Sequence, residues 1–411
     1  MRILISHPNH PAQFRRLAPY LADQGHELIF LYERNEWNAP KNLNYRLIHY
    51  SPHRSGGGPY IHPYLRRLES AVLQGQAVFR VCEQLRREGW VPDVVINHVG
   101  FGNGLYLSDV FPQSRRIGLF EWYYNADDSD VDFLNKGAVS GDRRMRLRGW
   151  NAQTLLELAA VDCAVTPTVW QQQQFPEFLR NRFHVIHEGI DVEAMARLKP
   201  LKGLRPFGLP NDKKIEVVTY LSRGFETYRG FPQAMEAMAL VQKQRPNVHL
   251  VLAGSDEVAY GPGRSDGRTW RQWATEELPL DPERTHWVGI LQEPEYHQLL
   301  ACSQVHLYLT VPFVLSWSLL EAMAAGCSLV ASATPPVMEV LENGKNGLLV
   351  DFWDSHAQAA AIQRLLDDAF LSETLANQAQ NTVSRYTSQN GLRAWETLLV
   401  CEDTNETATH P

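Results

Sequence analysis

Cysteine is scarce and carries no pattern. The five residues Cys82, Cys163, Cys302, Cys327 and Cys401 include no CxxC pair and no close Cys/His cluster. That excludes a disulfide framework and a zinc knuckle, and it predicts reduced thiols in a cytoplasmic protein. Long apolar runs are missing as well: nothing reaches the roughly 18 residues of a spanning helix, and the run Ile3, Leu4, Ile5 before His7 is too short for a secretory signal. Any membrane contact is therefore expected to be peripheral. Positive charge is not in excess, since 39 Lys and Arg against 46 Asp and Glu leave a net charge of -7. A nucleic-acid partner held by long-range attraction is not expected. Gly at 27 and Pro at 24 are ordinary, which rules out a collagen-like or low-complexity chain.

What is there is alternation. A length of 411 residues points to two or three domains. Strand, loop, helix and strand read over 2–6, 7–11, 14–24 and 27–32, followed by 46–50, a helix over 64–88, and strands over 93–97 and 117–120. A helix over 151–160 feeds strands at 163–166 and 184–187. The stretch 198–214, with Pro200, Gly203, Pro206, Gly208 and Pro210, reads as a linker. Beyond it the β/α pattern restarts at 216–221 and runs to 329–332. The expected fold class is α/β, with two Rossmann-like doubly wound domains over 1–200 and 201–383 facing across a cleft. A C-terminal segment, 384–411, contains a helix near 392–400 that packs back on the first domain and a frayed tail. Doubly wound domains bind ligands at the carboxyl ends of their strands.

Several blocks of this chain resemble one family. The run PFVLSWSLLEAMAAG over 312–326, continued by SLVASATPPVMEVLENGKNGLLV, resembles the nucleotide-sugar half of family 4 glycosyltransferases of the GT-B fold. VVTYLSRGFETYRGFPQAMEAMALV, VHLVLAGSDE, HWVGILQEPEYHQLLACSQVHLYLT and HEGIDVE are similar to that family's segments, in the same order. HPNHPAQFRRLAPYLADQGHELIFLYE, HVGFGNGLYLSDVFPQSRRIGLFEWYY and TPTVWQQQQFP resemble the first domain of a bacterial subgroup. The resemblance implies a group 1 enzyme that moves a sugar from a nucleotide-diphosphate sugar with retention of anomeric configuration. UDP is the favoured nucleotide.

On the donor side the first need is to neutralise a departing diphosphate. Arg223 and Arg229 flank a loop after a strand, and planar guanidinium forks match phosphate oxygens. In the family an Arg and a Lys bind the diphosphate here; this chain has Arg in the second place and a loop one residue longer, which brings Tyr228 or Arg229 onto the Lys position. Ser316, Trp317 and Ser318 open a helix, whose N-terminus favours an anion, although serine there also serves as an ordinary cap. Glu321 lies on an apolar helix and needs a partner. The resemblance gives it the ribose hydroxyls, and adds Gly254 and Leu291 to the donor side. Where the family has its other Glu, facing the donor sugar, this chain has Phe313.

On the acceptor side His98 ends a strand and runs into Gly100 and Gly102, a turn that lets a ligand approach closely. The resemblance sets His98 against the reacting sugar; a strand-end histidine also fits a structural role. Glu121, Tyr123 and Tyr124 follow the next strand, as a site or as an aromatic plug. His7, Asn9 and His10 stand where many relatives have a glycine pair, so contact there would be through side chains. His187 and Glu188 read as a domain-closing loop.

Asp128, Ser129 and Asp130 match a short metal-binding pattern of another glycosyltransferase fold, but two arginines already supply the charge, so no metal and no cofactor are expected. The basic segment 142–150, with Arg143, Arg144, Arg146 and Arg148 among Met145, Leu147 and Trp150, fits peripheral contact with an anionic membrane or a solvated helix face. The resemblance implies a hexosyltransferase of polysaccharide biosynthesis, expected in the cytoplasm. Its partners would be a nucleotide-sugar donor and a saccharide or lipid-linked saccharide acceptor. Its catalytic set is His98, Glu121, Arg223 and Arg229. A GT-B epimerase, a phosphorylase and a silent nucleotide-sugar binder remain alternatives; UDP release that requires an acceptor separates them.

Overall fold

The computed structural model describes residues 1–36, 39, 42–198 and 203–400. These form two compact units, one of Met1–Glu188 with the helix Ser388–Val400, the other Gly189–Thr387.

The main sheet of the first unit has seven parallel strands: β1 (Arg2–Ser6), β2 (Glu27–Tyr32), β3 (Arg46–His49), β4 (Val94–His98), β5 (Arg115–Leu119), β6 (Cys163–Thr166) and β7 (Phe183–Val185). Their order is β3-β2-β1-β4-β5-β6-β7. Parallel strands are covered on both faces, which is why β1 and β4 are continuous apolar runs. The pleat then sorts alternate residues. Ile3 and Ile5 pack with Phe14, Leu17 and Leu21, whereas Leu4 packs with Val78, Cys82 and Leu85 of the helix Arg66–Arg87 on the opposite face.

The second unit repeats the design with β8 (Glu216–Gly224), β9 (Val248–Ser255), β10 (Thr285–Gly289), β11 (Val305–Tyr308), β12 (Ser328–Ser332) and β13 (Leu348–Val350). All pairs are parallel, in the order β10-β9-β8-β11-β12-β13. Counted within each unit, both sheets reverse direction once, between their first and fourth strands. This is the doubly wound order 3-2-1-4-5-6, to which the first unit adds a seventh strand at the edge.

Three sequence expectations shift. The helix expected over 14–24 is a 3-10 turn, Ala12–Phe14, and a separate α-helix, Leu17–Asp23. Starting at Leu17 puts Pro19 in the first turn, where a missing N–H costs nothing. The boundary expected at 200 falls at Glu188/Gly189 instead, because Ile190, Met195 and Leu198 are already buried with Leu319 and Met323 in the second unit's core. The linker's prolines mark a loop and not the crossing point, and residues 199–202 lie outside the described residues. Strand β8 runs past Leu221 to Gly224, so Arg223 sits on the strand's end and not on the loop after it.

The helix Ser388–Val400 returns to the first unit. Trp395, Leu398 and Leu399 are buried among Phe14, Leu17 and Leu21, Tyr20 donates to Glu396 at 3.0 Å, and Arg115 donates to the Leu398 carbonyl at 3.0 Å. The expected tail after Cys401 lies outside the described residues. Cys82, Cys163, Cys302 and Cys327 are buried. Among the described residues no helix is long and apolar enough to cross a membrane. Because the terminal helix completes this core, Trp395→Ala, at a side chain 3 % exposed, should lower stability by about 3–5 kcal/mol. Urea unfolding followed by circular dichroism checks it.

Candidate functional site

At a strand-order reversal, adjacent connections leave toward opposite faces and open a crevice at the carboxyl edge. In the first unit that edge gathers titratable groups. His7 follows β1, His98 ends β4, and their rings lie 4.7 Å apart edge to face. His98 Nε2 is 3.2 Å from Oε2 of Glu121, which follows β5. Gln13 Nε2 donates to the other carboxylate oxygen at 2.8 Å. Burial pushes the Glu121 carboxyl up, but His98 beside it and the Gln13 amide outweigh burial and hold it below its usual value. His7 is held neutral, well below the usual imidazole range, by burial and by the nearby His98. Its Nδ1 accepts the Asn9 N–H at 2.8 Å, which leaves the ring proton on Nε2. Phe101 packs on both rings, 5.4 Å from His7 and 5.3 Å from His98.

Gly100 and Gly102 have φ of 109° and 90°, and a Cβ on Gly102 would meet the Ala71 backbone at 2.3 Å, so the turn after His98 requires glycine. Beneath it lies Glu157, a site residue that the sequence reading missed. The signal was a lone carboxylate in the otherwise mostly apolar helix Ala152–Ala160, AQTLLELAA.

Other expected contacts turn inward. His10 is fully buried, with Nε2 2.9 Å from Tyr45 Oη and Nδ1 3.1 Å from Asn35, so it anchors packing, and it is His7 that lies beside His98. Asn9 serves His7 through its backbone. Tyr123 packs on Phe175 at 5.2 Å. Tyr124 meets Trp150 edge to face, with the Arg67 guanidinium 4.7 Å above its own ring. Arg144 pairs with Asp127, Arg146 with Asp142 at 2.9 Å, and Arg143 lies 4.8 Å over Trp150, so most of the basic segment is engaged on its own helix or nearby. Asp132 accepts the N–H groups of Asp128 and Ser129, which closes a capping box. His187 is lowered to about 4 by burial and by Arg16, and the chain passes between the units just after it.

The second unit's reversal, between β8 and β11, is cationic and aromatic. Arg223 is exposed and makes no hydrogen bond or ion pair with the described residues. Arg229 is pinned, its Nη1 donating to Thr310 Oγ1 at 2.7 Å and to the Val314 carbonyl at 3.1 Å. Between them Glu226, also missed, accepts the N–H groups of Ala259 and Tyr260 at 2.6 Å each. Burial raises its carboxyl against the pull of those bonds and of both arginines. The loop it holds brings Tyr260 against Phe313, centroids 5.3 Å apart, while Tyr228 meets the same ring at 5.3 Å. Phe313 thus belongs to an aromatic trio beside Arg229.

Ser316 caps the helix Trp317–Ala324, accepting the Ser318 N–H at 3.3 Å, and the two hydroxyls lie 2.8 Å apart. Glu321 has a phenol for a partner: Tyr296 donates to its Oε2 at 2.5 Å. Gly254 and Leu291, expected on the donor side, make packing contacts. A Cβ at Gly254 would meet Phe225 and the Ser222 carbonyl at 2.7 Å, so this glycine lets β8 and β9 close, and Leu291 packs on the core.

Two doubly wound domains, the second with an arginine pair at its reversal, are those of a GT-B glycosyltransferase. Family models match both units: "Glycosyl transferase family 4 group" over residues 24–195 and "Glycosyl transferases group 1" over 205–382. The chain belongs to the family 4, group 1 glycosyltransferases. It is 24 % identical over 394 residues to a phosphatidyl-myo-inositol mannosyltransferase of Mycolicibacterium smegmatis, covering 93 % of this chain and 88 % of that one. Among solved structures, sucrose-phosphate synthase of Thermosynechococcus elongatus superposes with a TM-score of 0.66 at 19 % identity, covering 97 % and 98 %. Anabaena Alr3699/HepE in complex with UDP-glucose gives 0.67 at 17 %, covering 97 % and 99 %.

If His98 meets the reacting sugar, His98→Ala should lower kcat by about a hundredfold or more while nucleotide affinity changes little. Steady-state kinetics with calorimetry on the same variant checks this; an unchanged kcat with reduced thermal stability assigns His98 to the fold.

Proposed function

We propose that the chain transfers a hexosyl group from a UDP-sugar to a saccharide or lipid-linked saccharide, with retention of anomeric configuration, in the assembly of a cell-surface polysaccharide. The observation that carries this reading is the arginine pair at the second reversal. UDP leaves with two negative charges on its terminal phosphate side, and donors fixed before reaction lower the barrier most because nothing must reorganise. Arg229 is held by Thr310 and Val314, and Arg223 is open to a ligand. The N-terminus of the helix Trp317–Ala324 adds its dipole. Glu321 takes the ribose hydroxyls with the oxygen that Tyr296 does not use, and His98 with Glu121 orients the sugar or acceptor. The names of the relatives support the reading: one is a mannosyltransferase acting on a phosphatidyl-inositol, and one solved neighbour carries UDP-glucose.

In this reading the chain needs no metal, works in the cytoplasm, and meets a lipid-linked acceptor through peripheral contact at 143–150, where Met145 is 57 % exposed beside the arginines.

Arg223→Ala should weaken UDP binding by about 1.5–3 kcal/mol, the range for a hydrogen bond to a charged group. Arg229→Ala should also slow transfer. Calorimetry that finds both variants binding UDP like the parent removes the diphosphate assignment. Transfer should survive EDTA; loss on chelation, restored by magnesium or manganese, would return the residues 127–132 as a metal site. At Phe313 no side-chain acceptor is offered, so deoxygenating the sugar hydroxyl nearest this ring should cost less than about a hundredfold in kcat/KM, against about 10⁴ for a site built to bond it. Paired donors that differ only at that hydroxyl measure the ratio.

A further inference from the structure

The helix Ala152–Ala160 buries three polar side chains alongside Leu158. Its buried positions include Gln153, Thr154 and Glu157, each no more than 2 % exposed, while Leu155 and Leu156 are 39 % and 55 % exposed. Packing alone favours the reverse, since burying leucine is favourable and burying a carboxylate is costly. The inward face has a specific object. Glu157 Oε1 accepts Asn97 Nδ2 at 3.2 Å and the Gly104 N–H at 2.9 Å, and Oε2 accepts the Gly100 N–H at 3.2 Å. One turn earlier, Gln153 Nε2 reaches the Gly100 carbonyl at 3.5 Å. These contacts bracket His98 in sequence, from Asn97 before it to Gly100 and Gly104 after it. A Cβ on Gly104 would stand 2.5 Å from Glu157 Oε1 and 2.2 Å from Asn97 Nδ2, so the fit leaves no slack.

We propose that Glu157 is a positioning residue for His98: its carboxylate clamps the glycine turn from the side opposite the ligand and sets the orientation of the imidazole. This rests on the reading of His98 given above. Ionised, the carboxylate accepts all three N–H groups; protonated, it turns one oxygen into a donor facing donors, and the clamp opens. Burial raises its titration to about 7, against the pull of the Gly100 and Gly104 N–H groups and of His98. His98 on β4 is the titratable side chain that acts on it. His7 after β1 and Glu121 after β5 face His98 in turn, and the helix Arg66–Arg87 brings Ala71 and Gly75 to the turn, with the Tyr106 ring against Gly75. The folded-state value lies above that of a free carboxyl, so the ionised clamp is complete only above about 7 and is lost as pH falls through it.

The test is nuclear magnetic resonance of the full chain labelled at histidine, with the His98 signal assigned from a His98→Gln variant. In the parent, the His98 signal should show a step near pH 7 beyond its own protonation, and Glu157→Gln should abolish that step. The same variant should lower kcat about ten- to a hundredfold, the scale of a misplaced catalytic group, flatten the rise of kcat with pH near 7, and leave UDP affinity unchanged. A His98 signal and pH–rate profile identical in parent and variant overturn the proposal. If Glu157→Gln does not fold, the parent's titration decides alone, and a single-step curve there overturns it. A chain that shows the step yet transfers no sugar refutes the reading of His98 and leaves the clamp standing.

Discussion

A parallel strand connection is right-handed almost without exception, and that constraint fixes where this protein can have sites. A chain that adds strands on one side of its first strand and then on the other must part its connections at the point of reversal. Each sheet here does so once, at β1/β4 and at β8/β11. His7 and His98 flank the first gap, and Arg223, Arg229 and Phe313 the second. The chemistry differs between the two units, but the position does not, because position is set by topology before any side chain is chosen.

What fills each gap reflects opposite solutions to the cost of polar groups at low exposure. The first unit buries two imidazoles and the carboxylate of Glu157, and offsets their desolvation with backbone N–H groups, a neutral His7 tautomer and the Gln13 bridge to Glu121. The second keeps Arg223 in solvent and spends its buried carboxylate, Glu226, on holding the loop that carries Tyr260. Removing a partner from a buried network costs more than the bond itself is worth, so both arrangements are rigid.

The resemblance read from motifs survives at the level of family and fold, and it is thinner at single residues. Arg223 and His98 stand at strand ends and Arg229 in the turn that follows Arg223's strand, the carboxyl-edge positions that the alternation of strands and helices picks out in the sequence. Ser316 was legible as a cap, which it is. That His10 is buried was not legible, because its partners, Asn35 and Tyr45, lie 25 and 35 residues away in sequence. Glu157 stood out only as a lone carboxylate in a helix that reads as an ordinary apolar segment, since nothing local reports that Leu155 and Leu156 face outward while Glu157 is buried.

Sequence alone determined the α/β class, the doubling of the domain and the return of the last helix, because periodicity and the spacing of glycine and proline are local properties. It also determined the arginine pair, whose charge needs no fold to be recognised. Only tertiary structure decided which polar residues meet: His7 instead of His10 beside His98, Tyr296 on Glu321, Tyr228 and Tyr260 on Phe313, and Glu157 under the glycine turn. Those pairings join residues far apart in the chain, and their partners are chosen by strand order and register, which no single segment encodes.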